Sequence, residues 1–414
     1  MKKFVFYVAL ALAAVLPGLI VHFAGVSLSP VIGTSIFFAA LIGAGFMLSW
    51  GVEAAEGHAS QGLIIAILAL ITVLPEYAVD IYLSYQAGAQ PGSQYASFAA
   101  ANMTGANRLL IGFVWTMVVF LYWWRSRKRS VPLRPENSIE IVFLLIPSLY
   151  AFVIILKDRI DLFDTVVFGA IFAAYLWRVG KLPKDDDDDN EAEVGPAAVL
   201  ETLPNKQKYL IMAGLGTFAA LSIFALAEPF AESLIAAGAH FGINQFLLIQ
   251  WLAPLAGEAP EIIIAILFTL ALRPTVALAA LISDKINQWT LLVGMIPLAF
   301  SFGAGTIGHL ALDVRQHEEF FLTAAQSLFA VSLLICLRLN VISALVLLLL
   351  FLLQLVLAFV FQTDEPRAIF TLTILGWVYL ALASGVFIWN QKCLIERLRQ
   401  GLLAKLSGIL LLRM

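Results

Sequence analysis

The run LAGEAPEIIIAILFTLALRPTVALAALISDKINQWTLLVG, residues 255–294, is apolar enough to be read as membrane helices, yet it contains Glu258, Glu261, Asp284, Lys285, Asn287 and Gln288. Ionisable groups at membrane depth are expensive, so they mark a pathway or a site. The step from Gly257 to Pro260 predicts a break in the helix, and a break exposes backbone carbonyls that can hold a cation. An earlier stretch, residues 71–112, repeats the plan with TVLPEYAVDIYLSY and then AANMTGANRLLIG. Pro-Glu, an apolar helix, a polar cluster and a closing glycine thus occur twice. This predicts a transporter made of two repeats.

Composition agrees with a membrane protein. Hydrophobic residues make up 61% of the 414 and charged residues 13%, against roughly 45–50% and about 25% in soluble domains. Apolar runs of about 20 residues span a bilayer. They predict twelve helices, near 4–24, 31–56, 61–86, 94–124, 138–156, 161–180, 208–238, 243–272, 275–303, 318–337, 339–361 and 368–389. Lys2 and Lys3 before an apolar run resemble a signal peptide, but no small-x-small cleavage site follows. The run is therefore read as the first membrane helix.

Basic residues give the orientation. One side collects Lys2, Lys3, the RSRKR run after residue 124, Arg178, Lys181, Arg273, Arg338 and the basic residues beyond 391. The other side collects only Lys157, Arg159, Arg315 and Arg367. Both termini are expected on the cytoplasmic side of a cell's inner or plasma membrane. Arg108 and Lys285 stand apart, inside the polar clusters.

The expected organisation is an extra helix in 1–30, a first repeat of five helices in 31–181, an acidic linker in 182–207, a second five-helix repeat in 208–361, an extra helix in 362–390 and an amphipathic cytoplasmic tail in 391–414. An odd number of helices per repeat inverts the second copy. The tail alternates apolar residues with Lys392, Arg397, Arg399 and Lys405, a pattern for a helix lying on the interface. Cys336 and Cys393 have no metal-like spacing and are read as inert, without a disulfide framework.

Glu76 and Glu261 each follow a proline, and each lies 19 residues after a glycine, Gly57 or Gly242. Proline removes an N–H and frees carbonyls in the turn before it, expected at Thr72, Val73, Gly257 and Glu258. Carboxylate and carbonyl oxygens together suit hard cations such as Na⁺ and Ca²⁺. A glutamate that merely caps a kink is the plainer reading for one such element. Two at matched places favour a site.

These motifs resemble the calcium/cation antiporter superfamily, the sodium/calcium exchanger-like membrane proteins. The family's repeats read roughly G-T-S-x-P-E, then G-N-x-x-G-S-N, then an apolar run ending in glycine. The resemblance covers about residues 40–125 and 220–305. It implies an all-α polytopic protein with a 5+5 inverted repeat and alternating access around a central cation site. In the first repeat Thr72, Pro75 and Glu76 match, with Val73 in place of serine; Asn102, Gly105, Ala106 and Asn107 follow, with alanine in place of serine. In the second, Glu261 matches and Glu258 replaces the usual serine. Counting on from Glu261 puts Asp284 on the serine and Lys285 on the ligand asparagine. Counting back from Gly294 puts Asp284 opposite Asn102. Both registers keep Ser283, Asp284, Lys285 and Asn287 in or beside the site.

The resemblance therefore implies Glu76 and Glu261 as paired central ligands, with Glu258 and Asp284 as further carboxylates. Thr72, Asn102, Asn107, Ser283, Asn287 and Gln288 would supply neutral oxygens. Lys285 can stand where a cation would bind, or release a proton when one arrives; a fixed buried ion pair, more readily with a glutamate than with adjacent Asp284, is the alternative. Arg108 can pair with Asp80 on the neighbouring helix or reach the cytoplasmic side. Glu228 and Glu232 can line an ion-access path or simply pack, and the five histidines fall near helix ends. No catalytic, nucleotide-binding or cofactor motif occurs, so neither an enzyme nor a nucleic-acid partner is expected. Na⁺/Ca²⁺ exchange is the family default, and Lys285 leans towards a monovalent cation exchanged for H⁺. A membrane scaffold or sensor whose site Lys285 fills is the reading from another class.

Overall fold

A computed structural model describes residues 2–53, 73–181, 200 and 203–403. This described part of the chain is almost entirely helical. Its helices are α1 Lys2–Phe23, α2 Pro30–Glu53, α3 Leu74–Ala89, α4 Tyr95–Leu109, α5 Thr116–Ser126, α6 Ser138–Lys157, α7 Leu162–Val179, α8 Asn205–Phe241, α9 Gln245–Leu270, α10 Pro274–Asn287, α11 Val293–Ala304, α12 Val314–Leu334, α13 Val341–Val360, α14 Glu365–Trp389 and α15 Gln391–Leu398. A π turn, Leu110–Trp115, joins α4 to α5, and a second, Gln288–Leu292, joins α10 to α11. Each pair runs on as one spanning rod.

Ten helices among the described residues are long and apolar enough to cross a membrane. Two of the twelve predicted spans fall outside that set. The third begins in residues that are not described, and α3 is its remainder. The tenth is α12, where buried Gln316, Glu319, Thr323, Gln326, Ser327 and Ser332 dilute the apolar sequence.

The chain packs as two compact units, Met1–Tyr82 with Pro183–Ile263 and Leu83–Leu182 with Ile264–Met414. In the first unit α2 and α8 run antiparallel. A Cβ on Gly51 would lie 3.1 Å from the Gly216 nitrogen, and one on Gly33 would lie 3.3 Å from Ser233 Oγ, so small residues let the backbones close at both ends. The extra helix α1 packs on α2. Gly242, at φ +66°, ends α8 in the left-handed conformation that glycine tolerates.

The second unit carries two short ladders. β1 (Ser130–Pro132) pairs antiparallel with β4 (Arg338–Asn340), and β2 (Arg159–Ile160) with β3 (Leu310–Ala311). β1 follows the third helix of the first predicted repeat, whereas β4 follows the fourth of the second. β2 and β3 make the converse match. Repeats running in the same sense would bring like connections together. Pairing unlike connections is what inversion requires.

Where α3 ends it crosses α11 at backbone distance. A Cβ on Gly303 would stand 1.9 Å from the Tyr85 carbonyl oxygen, and one on Gly88 would stand 2.0 Å from that of Phe300. Neither carbonyl can swing away like a side chain. Gly303→Val is therefore expected to abolish folded protein, read as loss of the monodisperse peak in detergent gel filtration. Gly214→Ala, where nothing lies within 4 Å, should leave the peak intact.

One expectation changes here. Cys336 and Cys393 form a disulfide, with Cα atoms 5.5 Å apart. Spacing in the sequence could not show this, because the pair is made by α15 folding back beneath α12. The start of the tail packs against the protein. Arg178 Nε donates to the Gly401 carbonyl at 3.0 Å, and buried Arg397 donates to Ser138 Oγ at 2.9 Å, docking the tail on α6 and α7. Residues 404–414 lie outside the described chain, as does most of the acidic linker.

Candidate functional site

Both Pro-Glu elements lie in the first unit, and one glycine organises them. A Cβ on Gly45 of α2 would lie 2.7 Å from the Pro260 ring and 3.7 Å from that of Pro75, so the two motif prolines converge on the same spot. A Cβ on Gly257 would lie 3.3 Å from the Glu76 nitrogen and 3.4 Å from its Cα. The α3 backbone at Glu76 thus rests directly on α9 at Gly257. Any larger residue at either glycine would separate the elements.

The acids follow from helix geometry. Glu76 and Asp80 are four residues apart on α3, and Glu258 and Glu261 three apart on α9, so each pair shares a face. All four are buried, Asp80 completely and Glu261 with 8% exposed. Gln250, fully buried, continues the α9 stripe; it was not singled out in the sequence because an amide among apolar residues carries no charge signal.

The expected helix break is not present. α9 is continuous from Gln245 to Leu270 through both Pro254 and Pro260. Flanking turns carry the helix across each proline. The carbonyl that loses its partner is that of the residue four before, Ala256 for Pro260, rather than Gly257 or Glu258. Val73 is not freed either, since its carbonyl accepts from the Tyr77 N–H at 3.0 Å. Thr72 lies outside the described residues.

The second unit holds the remaining polar positions. Lys285 is completely buried, and its Nζ donates to the Asn107 carbonyl at 2.8 Å and to Asn107 Oδ1. Asn107 Nδ2 donates to the Met103 carbonyl at 2.8 Å, which fixes the amide with Oδ1 towards the ammonium. The Trp289 ring lies 5.3 Å from Nζ, and its Nε1 donates to Ser327 Oγ at 2.6 Å. Asn102, Asn287 and Gln288 are also buried. Ser283 turns elsewhere, accepting from the Tyr175 hydroxyl at 3.0 Å, and with Asp284 it is only half-buried.

Arg108 is buried and donates from Nη2 to Glu319 Oε2 at 2.5 Å and from Nε to the Thr104 carbonyl at 3.2 Å. Gln326 Nε2 reaches the Arg108 carbonyl at 3.3 Å. Glu319 was missed in the sequence reading. Its available signal was the acid pair Glu318–Glu319 at the start of the predicted span 318–337.

The two registers of the second polar cluster map onto two structural rulers. Matching the π turns sets Leu110 on Gln288, an offset of 178, which places Asn107 on Lys285 and Ala106 on Asp284. Matching the closing glycines, where Gly112 packs on Phe351 and Gly294 on Phe168, sets the offset at 182 and places Asn102 on Asp284. The difference is about one helical turn, so both keep the same helix face.

Among the described residues, no three His, Cys, Asp or Glu side chains gather closely enough to cage a metal ion. A cation held by this chain would therefore draw amide, hydroxyl or carbonyl oxygens as well as carboxylates, as hard cations accept.

Inverted helical repeats with acids buried at membrane depth define a cation-exchanger class of integral membrane protein. The chain belongs to the sodium/calcium exchanger protein family, whose model matches residues 29–181 and 211–360. Among solved structures, the H⁺/Ca²⁺ exchanger CAX is similar at 37% identity, covering 99% of each chain with a TM-score of 0.89. YfkE matches at 13% identity over 86% of this chain and 99% of its own, TM-score 0.58. The sodium-calcium exchanger NCX_Mj matches at 15% over 79% and 97%, TM-score 0.53. These last two show likeness of fold alone. No curated protein matches the chain.

Proposed function

We propose that this protein is a secondary active antiporter that exchanges Ca²⁺ for H⁺ by alternating access, in a cell's inner or plasma membrane with both termini cytoplasmic. The observation that carries the reading is a charge imbalance. Between Lys3 and Tyr82, and between Lys208 and Ile263, the sequence has Glu53, Glu56, Glu76, Asp80, Glu228, Glu232, Glu258 and Glu261 but no lysine or arginine. Of these, Glu76, Asp80, Glu258 and Glu261 are buried in the first unit. Buried carboxylates are costly without positive charge. In this unit that charge is supplied by a bound cation, by protons or by a basic group from another segment.

Exchange follows from the same accounting. Glu76 and Glu261 as a pair take one Ca²⁺ or two protons, and either load leaves the pair neutral. The empty pair is a dianion, which low dielectric disfavours, so the site crosses only when loaded. By their places in the repeated motifs, Glu258 and Asp284 would add carboxylates, and Asn102, Asn107, Asn287 and Gln288 neutral oxygens. Lys285 replaces one cation, which supports a proton rather than several Na⁺ as counter-ion. Of the cations left open by the sequence, Ca²⁺ is favoured by the 37% identical H⁺/Ca²⁺ exchanger.

The test is flux in proteoliposomes with a pH-sensitive dye inside. Inward Ca²⁺ gradients are expected to make the lumen alkaline without Na⁺. Ca²⁺ entry that requires internal Na⁺ and moves no protons would replace the reading with Na⁺/Ca²⁺ exchange. An absence of flux under every gradient would leave a scaffold.

A further inference from the structure

A cavity of 370 Å³ opens in the first unit where α1 ends and α2 begins. α1 crosses the membrane once, so this face is opposite the one bearing residue 2. Most of the lining is apolar, but His22, Ser29, Glu232 and Ser233 also line it. Glu232 is half-buried. Its Oε1 accepts from the Tyr82 hydroxyl at 2.7 Å. Tyr82 belongs to α3, six residues beyond Glu76, about 9 Å along the helix axis. The cavity carboxylate is thus tied to the helix that carries the buried acids.

We propose that this cavity is a loading site for a hydrated divalent cation, with Glu232 as its charged ligand and His22 and Ser29 as neutral ones. The proposal rests on the antiporter reading for its flux arm only. Size supports it: six first-shell waters at about 30 Å³ each occupy roughly 180 Å³, so the ion enters without shedding its shell. Charge supports it too. Residues 4–82 and 209–263, which include every residue lining the cavity, contain no lysine or arginine, and a carboxylate in a low-dielectric mouth concentrates cations there. Tyr82 keeps Glu232 from folding back, so the ligand is set before the ion arrives.

The experiment uses the full chain in vesicles of defined orientation, with Ca²⁺ presented from each side in turn. Glu232→Gln is expected to raise the half-saturating Ca²⁺ about tenfold from the cavity side, with the maximal rate and the opposite-side affinity kept. Glu232→Asp should recover most of the loss. Ser29→Lys, on an exposed loop where folding is not at stake, should shift affinity the same way by adding a positive charge. Unchanged affinity from both sides, the result expected if a lipid chain fills the cavity, would overturn the proposal, as would an equal rise on both sides. A flux-independent arm separates this from failure of the antiporter reading. Tb³⁺ luminescence excited through tyrosine should fall in Glu232→Gln and in Tyr82→Phe. A signal equal to wild type in both would sink the loading site even in a protein that transports nothing.

Discussion

Glu76→Gln or Glu261→Gln is expected to abolish Ca²⁺-driven proton movement while leaving the protein folded. Gln keeps the volume and shape of Glu, so the packing of α3 on α9 at Gly257 survives. What disappears is one negative charge from the pair that has to match Ca²⁺. Losing a residue that merely orients a metal ligand costs roughly 10–100-fold in affinity, so losing a ligand carboxylate should cost about 100-fold or more. The measurement is Ca²⁺ uptake in proteoliposomes beside Ca²⁺-dependent thermal stabilisation in detergent. Both effects should vanish in each variant, while melting without Ca²⁺ stays close to wild type. Uptake near the wild-type rate in either variant would remove that glutamate from the site.

Lys285→Met is expected to have the next largest effect, and on two independent readouts. The first is stability. The ammonium engages both the backbone and the side-chain oxygen of Asn107, and Met leaves them without it in a buried place. The cost of a buried acceptor losing its donor is about 1–3 kcal/mol, read as a lower melting temperature. The second is charge per cycle. With the fixed cation gone, the site takes up one more positive charge, so exchange gains a dependence on membrane potential. Flux measured with the potential clamped at two values by K⁺ and valinomycin checks this. Exchange as indifferent to potential as the wild type, with only the stability loss, would make Lys285 a structural cation.

Much of this protein is written locally in its sequence. Apolar runs fix the spans, because the bilayer demands about 20 such residues whatever else they touch. The same cost of burying charge singles out Glu76, Glu258, Glu261 and Lys285 without any structure. The two Pro-Glu elements and their order reveal the repeat. Other features depend on which helix faces meet, and these are contacts between residues far apart in the chain. That Pro75 and Pro260 converge on Gly45, that Lys285 binds Asn107, that Arg108 meets Glu319 on α12, and that Cys336 joins Cys393 are all decided by tertiary packing. The continuity of α9 through Pro260 belongs with them. A proline sets only a local cost, and the helix bears it because neighbours such as Gly45 make room for the ring. Sequence thus determined which groups must be reckoned with at membrane depth, and the fold determined which partner each of them meets.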